Sequence, residues 1–445
     1  MMENRYDKYK DSGIAWIGEI PEHWKVAKIK SFYNVILGKM VERNNDSNTG
    51  DENYLCAANI KWNGVDTEIN KKMYFSDIEK EKYLLQYNDV LIMEGGMAGT
   101  ACLYKNEFSP CYVQNSVNVC RAKKDFNNKF LYYWMYVPYY NGYIDAICNK
   151  ATIRHYTKEK VQNTPILISS LVEQQSIAAY LDQKCGEIDE LITLQEEMIT
   201  KLQSYKQSVI TEAVTKGLDK NVPLKDSGIE WIGMIPEHWE VKRLKNLGYL
   251  YGGLTGKTGN DFNVEEGDNY EYFIPFTNIF NNMYVDMNLL GKVKVSPNEK
   301  QNKVIKNDIL FLMSSEDYDG IGKSSLCKEN HPYPLYLNSF CKGLRVENKF
   351  KSIFLNYFMN SAVGKYFCQI ASNGFIRINL RQDKLLACPI LCPPLPEQQS
   401  IADYLDQRCS KIDELISIKQ QKIEKLKEYK KSLIFECVTG KRKVS

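Results

Sequence analysis

The residues best placed for chemistry are Gly252-Gly-Leu-Thr-Gly256-Lys257-Thr258. A glycine loop ending in Gly-Lys-Thr can wrap backbone N–H groups around a phosphate and set a lysine against its charge. That loop needs four residues between its outer glycines. Here Tyr251 stands where the first glycine is required, and no strongly apolar strand leads in. The spacing argues against nucleotide binding and leaves an ordinary turn, or one that touches a nucleic-acid phosphate. Glu94-Gly95-Gly96-Met-Ala-Gly99 is also glycine-rich, but lacks dinucleotide-loop spacing and reads as a flexible loop at a strand end. None of the histidines (His23, His155, His238, His331) lies in a nucleophile motif. Cys392-Pro-Pro-Leu is not the Asn-Pro-Pro-aromatic sequence with which an adenine methyltransferase holds an amino group. The 13 cysteines form no CxxC pair, which speaks against structural zinc. What remains is binding rather than catalysis.

The bulk numbers agree with that. A chain of 445 residues accommodates two domains with connecting elements. A net charge of +3 rules out a polycation but not local basic patches on a DNA-binding surface. Thirty tyrosines suit surfaces that are partly apolar and still hydrogen-bond, although AT-rich coding would also raise their number. Scattered thiols and a charged start point to a reducing cytoplasm. No apolar run reaches the ~18 residues of a membrane span.

The elements that would position binding residues occur twice. Glu173-Gln-Gln-Ser-Ile-Ala-Ala-Tyr-Leu-Asp-Gln183 returns as Glu397-Gln-Gln-Ser-Ile-Ala-Asp-Tyr-Leu-Asp-Gln407, each followed by Ile-Asp-Glu-Leu-Ile. Apolar residues then recur in steps of three and four: Ile188, Leu191, Ile192, Leu194, Ile199, Leu202, Tyr205, Val209 and Ile210, each 224 residues before an apolar counterpart. From Glu173 to Lys216 such a helix is ~66 Å long. One apolar stripe on so long a helix needs a partner, and the second copy supplies it. Ser170-x-x-Glu173 predicts a capping box for the first helix, and Pro396 a first-turn proline for the second.

A second block, Lys10-Asp-Ser-Gly-Ile-Ala-Trp-Ile-Gly-Glu-Ile-Pro-Glu-His-Trp24, returns at Lys225–Trp239. In this block a packing or capping role is expected for His23 and His238. Between the blocks only landmarks survive: Asn59 with Asn278, Asn88-Asp89 with Asn307-Asp308, Asn115-Ser116 with Asn338-Ser339, Ile153-Arg154 with Ile376-Arg377, and Pro165 with Pro389. Short apolar runs at Asp89–Met93 and Asp308–Met313, with Val113–Arg121 and Phe340–Val346, predict strands. Lys129–Tyr143 and Lys351–Ser372 predict helices. The expected fold is α+β: two similar globular domains (1–170 and 218–394) separated by two long helices (171–217 and 395–445), the helices packed as an antiparallel coiled coil with pseudo-two-fold symmetry.

This layout and its two repeated blocks resemble the specificity subunit of type I restriction–modification systems. The resemblance covers the full chain in layout. It implies two target-recognition domains, each reading half of an asymmetric bipartite site on double-stranded DNA, with the helices as a ruler. It implies as partners two modification subunits, which carry S-adenosylmethionine and methylate adenine, and restriction subunits that use ATP and Mg for translocation and cleavage. No cofactor is implied in this chain. The expected DNA contacts are Arg43, Asn44, Lys61, Asn115, Arg154, His155 and Tyr156 in the first domain. In the second they are Lys257, Thr258, Asn278, Ser314, Lys323, Asn338, Arg377, Asn379 and Arg381. Arg suits guanine and Asn suits adenine. The matched pairs Asn59/Asn278 and Asn115/Asn338 read rather as loop braces or phosphate contacts, because the two domains should read different sequences. The polar starts of the helices place modification-subunit contacts at Gln174, Gln175, Tyr180, Gln398, Gln399 and Tyr404. A competing reading is a coiled-coil adaptor whose domains bind proteins.

Overall fold

The computed structural model describes residues 5–40, 52–148, 154–264, 269–296, 298–347 and 349–444. The chain divides into two compact units, Met1–Glu196 with Gln421–Ser445, and Glu197–Gln420. The same framework builds each.

In the first unit an antiparallel four-stranded sheet runs Ala101–Leu103, Val90–Met93, Val117–Ala122, Tyr33–Leu37. A three-stranded sheet places Glu52–Leu55 between Lys71–Met73 and the parallel strand Tyr112–Val113. Val90-Leu-Ile-Met93 is apolar throughout because both of its faces are covered. Val90 and Ile92 join the core that holds Trp24, Phe130 and Trp134, while Leu91 and Met93 join the core of Leu55, Cys102 and Val113. The second unit repeats this. Its sheets are Gly248–Gly252, Cys341–Val346, Ile309–Leu312, Ser324–Leu326 and Gly291–Val293, Glu271–Ile274, Leu335–Leu337. Ile309 and Phe311 face one core, Leu310 and Leu312 the other. The segment expected as one strand, Val113–Arg121, is two, separated by Gln114–Ser116. The expected helices are Asn128–Tyr140 and, as a broken pair, Ser352–Asn360 and Ala362–Ile370.

The registers overturn two matches between the domains. His155 lies opposite Gly95 and Asn379 opposite Ser314, so Arg154 corresponds to Ile378 and not to Arg377. Tyr54 lies opposite Tyr112, and its counterpart Phe273 lies opposite Tyr336. Gln114, not Asn115, therefore corresponds to Asn338. A slip of one residue exchanges the faces of a strand, so the Asn115/Asn338 pairing had no structural meaning.

The long helices are Leu171–Lys216 and Leu395–Val438. Each unit takes the head of one and the tail of the other, running antiparallel. In the first unit Ile177, Leu181, Cys185 and Ile188 pack into one core with Leu433, Ile434, Cys437 and Val438. In the second, Val209, Ile210, Ala213 and Val214 share a core with Ile401, Leu405 and Cys409. Asp189 pairs with Lys430 at 2.7 Å, and the equivalent Asp413 with Lys206 at 2.7 Å. Leu191, Leu194 and Tyr205 face solvent, as do Leu415, Ile418 and Tyr429, 224 residues on. The stripe read from the sequence thus merges a buried seam with an exposed one. The Ser170 hydroxyl caps the Glu173 N–H at 3.2 Å, forming half of a capping box. Pro396 occupies the first turn, where no N–H partner is lost. Among the described residues no helix is long and apolar enough to cross a membrane, and all 13 cysteines are unpaired.

Candidate nucleic-acid interface

Three polar residues of each repeated helix start fasten it to its globular domain. The Glu173 carboxylate accepts from the Trp24 indole at 3.1 Å, the Tyr6 hydroxyl at 2.7 Å and the His23 ring at 3.2 Å. Glu397 accepts from the Trp239 indole at 3.1 Å and from His238 at 2.8 Å. This is the role of the two Pro-Glu-His-Trp blocks. One residue on, Gln174 donates to the Ser169 carbonyl at 3.0 Å and accepts from the Asn127 N–H at 3.2 Å. Gln398 does the same with Pro393 and Lys351, both at 2.8 Å. Asp182 accepts from the Tyr133 hydroxyl at 2.8 Å, and Asp406 from Tyr357 at 2.6 Å and from Tyr284. Burial pushes the Asp406 pKa up, but the Tyr284, Tyr357 and Lys328 hydrogen bonds outweigh it and hold the pKa below its ordinary value.

These contacts correct the partner assignment at Gln174 and Gln398. Gln174 and Gln398 are buried and spend their amides inside the fold. Tyr180 and Tyr404 are half-buried against the two cores. Gln399 is half-buried and donates to Asp403 at 2.8 Å, while Gln175 is exposed.

Two further pairs hold the sheets in both units. Asn59 donates to the Asp66 and Ile69 carbonyls, and Asn278 to those of Asp286 and Leu289. Buried Asp89 is gripped by the Arg121 guanidinium at 2.8 and 2.6 Å, and buried Asp308 by Arg345 at 2.9 and 2.7 Å. Bidentate charge-assisted bonds of this kind fix geometry as well as charge.

With the frame accounted for, an equivalent corner remains at the end of each four-stranded sheet. In the first unit Gly95 pairs antiparallel with His155, the Tyr156 N–H reaches the Glu94 carbonyl at 2.7 Å, and the Glu94 N–H reaches the Ser116 carbonyl at 2.9 Å. Glu94, Arg154 and His155 meet there, with Asn115 next to Ser116 in the chain. The Glu94 side chain is 17% exposed, 3.9 Å from the His155 ring. Its Oε2 has no hydrogen-bond partner among the described residues, and burial raises its pKa against the opposing pull of His155. In the second unit Ser314 pairs with Asn379 and Ser315 with Ile378, and the Leu380 N–H reaches the Met313 carbonyl at 2.9 Å. The Arg377 guanidinium lies 4.8 Å from the Phe340 ring centroid, and the Phe340 N–H donates to the Asn338 side chain at 2.9 Å. Ser314, Asn338, Arg377 and Asn379 are thus brought together, and so are Asn115, Arg154 and His155. The position of Glu94 is taken by Met313 in the second unit.

Other expected contacts fall elsewhere. Tyr156 is wholly buried, its hydroxyl 2.5 Å from that of Thr164, so its ring cannot reach a groove. Asn278 is a buried brace. Ser314 belongs to the corner but is itself buried. The Lys257 side chain is 7% exposed, and its amine is held by Glu299 and the Lys294 carbonyl, both at 2.6 Å, so it is not free for phosphate. Thr258 caps a short helix through Asp261. The Lys323 amine lies 3.8 Å from the Phe280 ring centroid. Lys61 is exposed but sits on the short hairpin Ile60–Val65, outside the corner. Arg154 and Arg381 pair with Asp145 and Asp383 on the surface. Such exposed pairs are weak enough to exchange for phosphate. Arg43 and Asn44 lie outside the described residues. The sequence reading missed Glu94 as a site residue, as well as Phe340, Phe375 and Ile376; no residue-type rule flags an apolar side chain at a loop tip.

Comparison with known proteins agrees with this duplicated frame. A family model described as the type I restriction modification DNA specificity domain matches residues 21–203 and again 236–428. The type I restriction enzyme MjaVIII specificity subunit of Methanocaldococcus jannaschii is 25% identical over 443 residues, 96% of this chain and 94% of its own length. The EcoBI specificity subunit of Escherichia coli is 24% identical over 385 residues, 83% of this chain and 77% of its own. A solved structure from a study of type I R-M complex assembly and conformational transition superposes with a TM-score of 0.70 at 15% identity, covering 94% of this chain and 98% of that one, which establishes the fold. These matches favour the specificity subunit over the adaptor: the chain belongs to the type I restriction–modification DNA specificity family, as a specificity subunit with two target-recognition domains.

Proposed function

We propose that the two corners are the base-reading surfaces, one for each half of a bipartite, asymmetric double-stranded DNA site. The observation that carries this is the contrast between frame and corner. The Trp–Glu, Gln, Asp–Arg and Asn contacts repeat residue for residue, whereas Glu94 gives way to Met313 and His155 to Asn379. A fixed frame with differing readers gives unlike half-sites. Exposed Arg154 and Arg377 supply cations for phosphate or guanine, and Asn115, Asn338 and Asn379 supply amides for adenine.

We assign the modification-subunit contacts to the exposed apolar stripe, Leu191 and Leu194 with their repeats Leu415 and Ile418. Its duplication supports two modification subunits per chain. Catalysis is then the work of the partners: S-adenosylmethionine and adenine methylation in the modification subunits, ATP- and Mg-dependent translocation and cleavage in the restriction subunits. The chain itself acts as the address in the cytoplasm.

Methylome sequencing of a host carrying this chain and its modification subunit tests the reading. The expected result is a single bipartite motif with unlike halves. Exchanging residues 218–394 for those of another family member should change one half only. Two altered halves, or methylation without a motif, would sink it.

A further inference from the structure

One segment of the second corner has no work inside the fold. Strands Ser314–Ser315 and Ile378–Asn379 pair, and Asn373 pairs with Asn379, so residues 374–377 project as a closed tip. Gly374 turns the chain at φ +149, and a Cβ there would fall 2.0 Å from the Arg377 carbonyl oxygen, so the turn admits only glycine. At the tip Phe375 is fully exposed and Ile376 is 92% exposed. A short turn that leaves two large apolar side chains in water carries a cost that folding does not recover. The flanks are polar: Arg377 lies over the Phe340 ring, and the Asn379 amide donates to the Arg377 carbonyl at 3.1 Å.

We propose that Phe375 and Ile376 form an apolar wedge that enters the base stack of the half-site read by the second domain and unstacks one step. The inference rests on the corner being a DNA surface. Phe and Ile are among the side chains that proteins insert between base steps, where they kink the duplex. The tip is narrow, two side chains on a single turn, which suits a gap between stacked bases better than a broad protein patch. Arg377 beside it is placed for a flanking phosphate, and the guanidinium–ring contact holds that cation in position. A wedge makes the domain sensitive to how easily a step opens, so the favoured step is a flexible pyrimidine–purine one. Specificity would then arise at a position no hydrogen bond touches.

The test uses the full chain assembled with its modification subunits on a duplex bearing the motif found by methylome sequencing. 2-Aminopurine is placed at successive positions of the second-domain half-site, and fluorescence is read at saturating complex. Apart from the adenine that the modification subunit flips out to methylate, which is excluded from the scan, the wild-type complex should raise fluorescence at one step, reporting lost stacking. Phe375→Ala with Ile376→Ala should lose that rise, and Phe375→Leu should keep part of it. Both changes lie at an exposed tip and leave the cores intact. Duplex binding without a rise at any step overturns the wedge alone, as does the same rise with the double variant. Loss of assembly with the modification subunits in the double variant overturns it in favour of a protein contact. Failure of the wild-type complex to bind duplex brings down the DNA reading itself.

Discussion

Individual residues divide into those that hold the frame and those left over for reading. Arg121 and Arg345 are frame. Each neutralises a carboxylate that is otherwise buried. Arg121→Ala strands Asp89 and should cost about 3–5 kcal/mol in denaturant unfolding, with Arg345→Ala costing about as much. Glu94 behaves in the opposite way. Its pKa is raised by burial against His155, so the folded chain holds its proton to higher pH than the unfolded chain does. Its contribution to stability is full below the unfolded value and is lost as pH rises through the folded one. Glu94→Gln should therefore raise Tm at neutral pH and flatten the dependence of Tm on pH above about 4. The same change should impair recognition of the first half-site in a binding assay. A residue that destabilises the fold and sits in the corner proposed for reading is accounted for by recognition rather than by folding. Sequence reasoning counted Asn278 among the DNA contacts yet left Asn59 and Asn278 open between loop braces and phosphate contacts, since a residue shared by domains that read different DNA cannot be what distinguishes them. The structure makes both braces. Sequence reasoning had no means of seeing that Tyr156 points into a core or that the Lys257 amine is already taken, because both depend on partners distant in the chain.

Among the elements, the long helices were the most legible: both carry the apolar periodicity, a capping serine marks the start of the first and a first-turn proline the start of the second. The strands were less so. A one-residue slip paired Asn115 with Asn338, and only hydrogen-bond registers corrected it. Gln174 and Gln398 were misjudged for an instructive reason. A motif as polar as Glu-Gln-Gln looks like a surface for a partner, but its polar atoms satisfy the backbone and indole groups of the adjoining domain. Gln398→Ala should accordingly lower stability by roughly 1–3 kcal/mol while co-purification with the modification subunit survives. Leu415→Lys with Ile418→Lys should do the reverse, leaving thermal unfolding near wild type and removing one of the two modification subunits from the co-purified complex; adding Leu191→Lys and Leu194→Lys should remove both. Equal loss of partner in both variants would refute the reassignment.

For the whole molecule, the decisive feature is that the first unit is built from both ends of the chain, whereas the second is one continuous stretch. Removing residues 421–445 takes Leu433, Ile434, Cys437 and Val438 out of the first core, at about 1.5–3 kcal/mol for each large side chain. Hydrogen exchange on such a truncation should show loss of protection in Val90–Met93 and Val117–Ala122, with Ile309–Leu312 and Cys341–Val346 still protected. Protection lost equally in both sheets would contradict the division into units.

The same borrowing has a consequence on the ribosome. Domains ordinarily complete in the order of synthesis. Here the second unit has all its parts once Gln420 has emerged, whereas the first awaits residues 421–445. The domain made first is finished last. Until residues 421–445 are in place, the open core of the first unit is exposed to chaperones and proteases while the second can already close.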